Sequence, residues 1–333
     1  MRGTRAVCFA AAVVAAMTVS PSPSTAGADQ IATIDLTQRE QPDVGTLTDD
    51  PIGRATKYGH ALFTDTAREI GPVAPDPAKR YAGNNLTCQN CHLQAGTQPY
   101  AMPMTGVWGQ FPQYRGREGE VGTLEDRING CMERSMNGRV LPLDGREMKA
   151  FLAYMKWLSG GIADGAKIIG AGTLAIKEPD RATDLGHGAQ VYERFCTACH
   201  GADGQGQRNA AGDGYQYPPL WGPDSYNDGA GMARLLSAAA FIRRNMPFGT
   251  KFDSPVLSDD EAYDVAGYVD SQTRPQKANL DQDFPNRLQK PVDTPYGPYA
   301  DDFGEQQHKF GPFAPIRAKL KELSTSAQSS HTK

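Results

Sequence analysis

The chain has 333 residues, 39% of them hydrophobic and 22% charged, with 34 basic against 38 acidic side chains and a formal charge of −4. That balance argues against a nucleic-acid partner held by a basic surface. The length suits two domains of ordinary size after a leader.

The first 30 residues, MRGTRAVCFAAAVVAAMTVSPSPSTAGADQ, read as a secretory leader. Arg2 and Arg5 make the basic end, residues 6–19 are an apolar run too short to span a bilayer comfortably, and Ala26-Gly27-Ala28 is a small-x-small cleavage site. Cleavage after 28 removes Cys8 and both arginines, taking the charge from −4 to −6. The expected destination is a bacterial periplasm, an oxidising compartment. No later stretch approaches transmembrane length, so no membrane anchor is expected in the mature chain.

Cys88-Gln89-Asn90-Cys91-His92 is a C-x-x-C-H motif. In this pattern two thiols add to the vinyl groups of a haem and the adjacent histidine binds its iron. The next informative segment is TLEDRINGCMERSMNGR. It predicts a helix with Thr123 as cap, Asp126 closing a capping box and Gly138 at its end. Arg127, Cys131 and Ser135 then fall on one face at i, i+4 and i+8, with Arg134 beside them. Gly130 removes bulk where that helix would approach a haem. Arg115 and Arg117 follow from a loop, QYRGREGE. LDGREMKAFLAYM predicts a further helix, capped by Asp144 with Glu147 three residues on.

Residues 160–183, with Gly160-Gly161 and Gly170-Ala171-Gly172, read as a linker. Beyond it Cys196-Thr197-Ala198-Cys199-His200 is a second C-x-x-C-H. Pro218 and Pro219 stand where a backbone carbonyl can accept the Nδ1–H of His200. Met246 follows His200 by 46 residues. A thioether there suits a His/Met electron-transfer haem, because thioether ligation favours ferrous iron. Ser258 and Glu261 form a capping box for the last helix of this half. After Arg274 the chain is rich in proline and polar residues and is expected to wrap the surface irregularly.

The two halves repeat. His92 and His200 are offset by 108, Trp108 and Trp221 by 113, and Leu143 and Leu257 by 114. Each half is expected to be a small all-α domain around one haem, which supplies much of its core. The expected organisation is a leader over 1–28, domains over 29–165 and 166–275, and an irregular extension over 276–333. Cys131 is the one cysteine of the mature chain outside the two motifs. From Trp221 to Met246 is 25 residues and on to Leu257 is 11, while from Trp108 to Cys131 is 23 and on to Leu143 is 12. Met136 gives 28 and 7, a worse match. Cys131 therefore fills the slot of Met246 as sixth ligand, unless it is simply a buried thiol packed as a small hydrophobe. A thiolate beside a guanidinium and a hydroxyl is a place for a small oxyanion.

RYAGNNLTCQNCHL, the helix around NGCMERSMNG, YPPLWGPDSYNDGAGM, AAFIRRNMP and QQHKFGPFAP resemble the dihaem thiosulfate dehydrogenases, tetrathionate-forming cytochromes c, over nearly the whole mature chain. The resemblance implies two tandem cytochrome c-type domains and two covalently bound haem c groups. Cys88, Cys91, Cys196 and Cys199 would hold them. His92 and Cys131 would ligate the catalytic iron, and His200 and Met246 the electron-transfer iron. Arg117, Arg127 and Ser135 match the substrate-binding positions. The implied reaction joins two thiosulfates into tetrathionate, or runs in reverse, with electrons passing to an external acceptor such as a small cytochrome c or a high-potential redox protein. The implied chemistry is a Cys131–thiosulfate adduct displaced by a second thiosulfate. The competing expectation is an electron carrier, or a haem subunit of a multi-protein sulfur-oxidising complex, with no turnover of its own. A pure carrier has no use for an oxidisable thiolate ligand.

Overall fold

The computed structural model describes Gly3 and residues 31–330, so the leader expected over 1–28 lies outside the described residues apart from Gly3. The first half begins with strand β1 (Thr33–Asp35), then α1 (Pro51–Thr64), α2 (Thr66–Ile70) and α3 (Leu93–Gly96), the last directly after the first C-x-x-C-H. A hairpin of β2 (Gln113–Arg115) and β3 (Glu120–Gly122) leads into α4 (Leu124–Arg134), and α5 (Arg146–Leu158) closes the half. The linker contributes β4 (Lys167–Ile169), which pairs in parallel with β1, Ile34 opposite Ile168. The second half runs through α6 (Leu185–Phe195), α7 (Thr197–His200), the small pair β5 (Gln207–Arg208) and β6 (Tyr215–Tyr217), α8 (Leu235–Asn245) and α9 (Asp259–Ser271). From 276 to 304 the path is irregular; α10 (Glu305–Phe310) and α11 (Ala314–Ser330) follow. The extension expected to be irregular over 276–333 is thus irregular only to Gly304 and then helical; after Pro315 it is free of glycine and proline, which suits α11.

Each half is built on a crossing of its first and last helices, and a glycine sits at each crossing. A Cβ on Gly59 of α1 would lie 2.0 Å from the Ala150 carbonyl oxygen of α5. A Cβ on Gly188 of α6 would lie 2.1 Å from the Asp264 carbonyl oxygen of α9. Only glycine lets the backbones approach so closely. Around the first crossing Leu62, Phe63, Met148, Phe151 and Tyr154 are buried; around the second, Val191, Tyr192, Val265 and Val269. The extension packs on α8 and α9 through Phe313 and Ile316. His308 locks it, bonding the Val292 carbonyl at 2.8 Å and Asp301 at 3.0 Å and stacking on Tyr299 at 3.6 Å. Residues from Ala32 onward form one compact unit.

The capping box of Thr123 and Asp126 on α4 is present, as is that of Ser258 and Glu261 on α9. Asp144 caps nothing. Helix α5 starts at Arg146 with Gly145 as its cap, because the Gly145 amide turns back to the Pro142 carbonyl at 3.0 Å. Glu147 instead points inward and accepts from the Tyr58 hydroxyl at 3.1 Å. Helix α4 ends at Arg134, one turn before Gly138, whose amide returns to the Met132 carbonyl at 2.9 Å. Among the described residues no helix is long and apolar enough to cross a membrane.

Candidate functional site

The five described cysteines are all free thiols. Cys88 and Cys91 lie on the wall of a cavity of about 330 Å³ whose other walls are largely apolar, among them Phe63, Val107, Phe151 and Met155. Cys196 and Cys199 line a second cavity, of about 460 Å³, with Phe241, Ile242, Val265 and Val269. Burial pushes Cys88, Cys91 and Cys196 up to about 12. The two cavities share Leu86, Cys91, Tyr226 and Met232 as a common wall.

Each motif histidine is oriented in the same way. His92 Nδ1 bonds the Met102 carbonyl at 2.6 Å, and His200 Nδ1 bonds the Pro218 carbonyl at 2.8 Å. Occupying Nδ1 as a donor leaves Nε2 as the free lone pair, the arrangement that a metal-binding imidazole needs. Burial, partly offset by that bond to Pro218, pulls His200 below its ordinary value and favours the neutral ring. Met246, immediately after α8, lines the second cavity with His200. Cys131, on α4, lines the first cavity with His92. Thiol pairs, a free imidazole nitrogen and a sulfur ligand around an apolar cavity fit haem c in both halves. Residues 88, 91, 92 and 131 would hold one group, and 196, 199, 200 and 246 the other.

Cys131 differs sharply from the other thiols. Burial alone would raise it, but the Arg127 guanidinium and the His92 ring, both at the thiol, outweigh that and bring it down to about 6. Arg127 Nη1 donates to Cys131 Sγ at 2.9 Å, one helical turn away on the same face of α4. Cys131 also opens onto a third cavity, of about 430 Å³, that lies between α4, the β2–β3 hairpin, the start of α8 and the extension. Five arginines line it: Arg115, Arg117, Arg127, Arg134 and Arg234. Ser135 lines it as well.

The arginines named from the sequence are thus gathered in one place, but they are engaged differently. Arg115 makes a two-point contact with Glu118, at 3.0 and 3.1 Å. Arg117 Nη1 donates to the Gly229 carbonyl at 2.8 Å and to Asp283 at 3.2 Å, with the Tyr296 hydroxyl at 3.3 Å, and the side chain lies over Phe284. Arg134 donates to the other oxygen of Asp283 at 2.7 Å. Asp283 therefore clamps two arginines at once from the extension. Sequence reasoning missed Asp283, Arg234 and the Met102 carbonyl. Asp283 follows Arg134 by 149 residues, and nothing local marks such a pairing.

Two helical halves, each folded around a cavity with a C-x-x-C-H motif on its wall, define an oxidoreductase of two tandem cytochrome c domains. Models of protein families agree: SoxA/TsdA, cytochrome c domain, matches residues 78–163, and Cytochrome c matches residues 186–273. The chain belongs to the thiosulfate dehydrogenase family. It is 43% identical over 282 residues to thiosulfate dehydrogenase of Allochromatium vinosum, covering 83% of this chain and 97% of that one. It is 40% identical over 248 residues to thiosulfate dehydrogenase of Psychrobacter arcticus, covering 74% of this chain and 72% of that one. Among solved structures it is similar to thiosulfate dehydrogenase (TsdBA) from Marichromatium purpuratum in its as-isolated form. The TM-score is 0.66 at 35% identity, over 73% of this chain and 51% of that longer chain.

Proposed function

We propose that this protein is a periplasmic dihaem cytochrome c that oxidises two thiosulfates to one tetrathionate and passes the two electrons to an external acceptor, a small cytochrome c or another high-potential redox protein. The observation that carries this reading is the Cys131 thiol, held by Arg127 at 2.9 Å, reached by His92 and open to an arginine-lined cavity. A carrier without turnover needs neither a thiol held by a guanidinium nor an arginine-lined cavity beside it. The same site serves the reverse reaction, since the sulfur exchange is symmetrical. The proposed organisation is a leader over 1–28, a catalytic domain over 29–165, an electron-transfer domain over 166–275 and an extension over 276–333.

Haem c, bound covalently through each thiol pair, would supply the one-electron sinks. The chain's own residues do the rest. Arg127 holds the sulfur of Cys131 as thiolate and presents its remaining donors to an incoming sulfonate. Ser135 offers a hydroxyl on the same wall. A sulfur–sulfur bond forms between Cys131 and the sulfane sulfur of the first thiosulfate, and two electrons leave. A second thiosulfate then attacks that outer sulfur, tetrathionate departs and the Cys131 thiolate is restored. Two dianions must meet, and at an effective dielectric of ~20 each pair of unit charges 4 Å apart costs about 4 kcal/mol. Guanidinium groups on the cavity wall offset that repulsion. Met246 tunes the outgoing site and touches no substrate. The test is purified holoprotein with thiosulfate and an artificial electron acceptor. Intact mass should show two haem units, and tetrathionate should appear at one per two thiosulfates consumed. A holoprotein with both groups that neither makes nor cleaves tetrathionate contradicts the proposal.

A further inference from the structure

Arginine is not scarce in the Cys131 cavity, but carboxylates already engage most of it. Arg115 is paired with Glu118, and Arg117 and Arg134 share Asp283. Of the five lining arginines, Arg127 and Arg234 are the two with no carboxylate oxygen at hydrogen-bonding distance among the described residues. For Arg234 the carboxylate of Asp293 stands 3.9 Å away. That carboxylate accepts the Leu236 amide at 3.0 Å through its other oxygen. Arg234 makes one side-chain hydrogen bond, from Nη2 to Ser237 Oγ at 2.6 Å. A guanidinium carries five donors; Ser237 takes one, the Nε–H is buried without a partner, and the remaining Nη donors make no hydrogen bond among the described residues. It faces the same charged neighbourhood as the known candidates: burial pulls Arg117 down, Tyr296 opposes this, and repulsion from Arg134 and Arg234 adds to it, Asp283 opposing in turn.

The pair repeats a pattern across the cavity. On one wall α4 presents Arg127 and Ser135 beside the thiol. On another, the first turn of α8 presents Arg234 and Ser237. One guanidinium and one hydroxyl form a unit that receives a sulfonate by a forked contact. The reaction brings two dianions together, and the cavity holds two such units.

We propose that Arg234, with Ser237, is the binding subsite for the second thiosulfate, the one that attacks the Cys131 adduct in the forward direction and leaves it in the reverse. This rests on the proposed thiosulfate–tetrathionate reaction. The second domain thereby supplies part of the substrate site of the first.

The reverse half-reaction isolates the claim. Tetrathionate and the Cys131 thiolate exchange one sulfur–sulfur bond for another, giving the Cys131–thiosulfate adduct and one free thiosulfate, with no net redox change. Holoprotein, Arg234→Gln, Arg234→Lys and Ser237→Ala are mixed with sodium tetrathionate, and adduct growth is followed by intact mass. Steady-state thiosulfate oxidation is measured on the same preparations. The subsite predicts that Arg234→Gln slows adduct formation about 30- to 100-fold and raises the KM for thiosulfate. Arg234→Lys should recover about a third to a tenth of the wild-type rate, and Ser237→Ala should lose 3- to 10-fold. Adduct formation in Arg234→Gln within twofold of the wild type, with turnover intact, overturns the subsite and leaves the reaction standing. A wild type that forms no adduct and shows no turnover overturns both. Unchanged haem spectra and melting temperature in Arg234→Lys guard against a folding defect, since that variant keeps the charge and must still fall between wild type and Gln.

Discussion

Replacing Arg127 with glutamine removes the guanidinium that donates to Cys131 Sγ at 2.9 Å. A hydrogen bond to a charged group contributes about 1.5–3 kcal/mol. The same group is the counter-charge held against the Cys131 sulfur proposed to react, and one unit charge at about 4 Å in a partly solvated site is worth up to about 4 kcal/mol. These overlap rather than add, so the loss of transition-state stabilisation should be about 3–4 kcal/mol. At ~1.4 kcal/mol per decade that is a fall in kcat/KM of about 100- to 1000-fold. Arg127→Lys keeps the charge but loses the fork, and should lose about 10-fold. Arg127 lines both the apolar cavity and the arginine-rich one from α4, so unchanged circular dichroism in both variants checks that the fold is kept. The assay is thiosulfate-dependent acceptor reduction by the holoproteins. Arg127→Gln with kcat/KM within threefold of the wild type would refute the electrostatic role assigned here.

Met246→Gly should lower the potential of the second site, since a thioether that favours the reduced metal is lost. Redox titration reads this, and stopped-flow should still show the first site reduced by thiosulfate while steady-state turnover falls. Asn245 is an unsuitable replacement ligand, being tied to Gln98 at 2.7 Å and to the Tyr100 and Phe241 carbonyls. Gly59→Ala and Gly188→Ala each drive a methyl into a backbone carbonyl, at 2.0 and 2.1 Å, and should each destabilise by about 2–3 kcal/mol in thermal or urea unfolding. Asp264 is buried and desolvation opposes its charge, yet Arg181, His187 and the Asp184 amide hold its carboxyl below the usual carboxylate range. A depressed folded value stabilises above the unfolded value and is lost as pH falls through the folded one. The wild type should therefore lose stability as pH falls through and below the ordinary aspartate range, and Asp264→Asn should show a flatter acid limb in melting temperature against pH.

Local chemistry was legible in the sequence. Thr123 with Asp126 and Ser258 with Glu261 announce their helices because a cap and its partner are three residues apart. Asp144 with Glu147 has the same spelling and fails, since a turn from Pro142 and the reach of Glu147 to Tyr58 decide that helix start. The Pro218 carbonyl could be anticipated from its position, whereas Met102 serves His92 through a backbone oxygen that no side chain advertises. Spacing aligned Cys131 with Met246, yet the two reach their cavities differently: Cys131 from within α4, Met246 from just beyond the end of α8. Counting residues captures the slot but not the backbone that fills it. The arginines near Cys131 were visible as residues, but their states were not. Whether a guanidinium is open to substrate depends on Glu118, Asp283 and Asp293, and the last two come from an extension that reads only as proline-rich and polar.

Cys131 is proposed here as the reacting sulfur. Its direct test is thiosulfate-dependent acceptor reduction by Cys131→Ala holoprotein beside Met136→Ala, with both haems verified by mass. Met136 is buried in the core of the first half and lines the same haem cavity, so it controls for mere disturbance of that wall. Cys131→Ala should keep both haems and lose turnover by at least about 1000-fold, nucleophile and ligand having gone together, while Met136→Ala should retain most activity. A fully active Cys131→Ala beside a dead Met136→Ala would contradict that role.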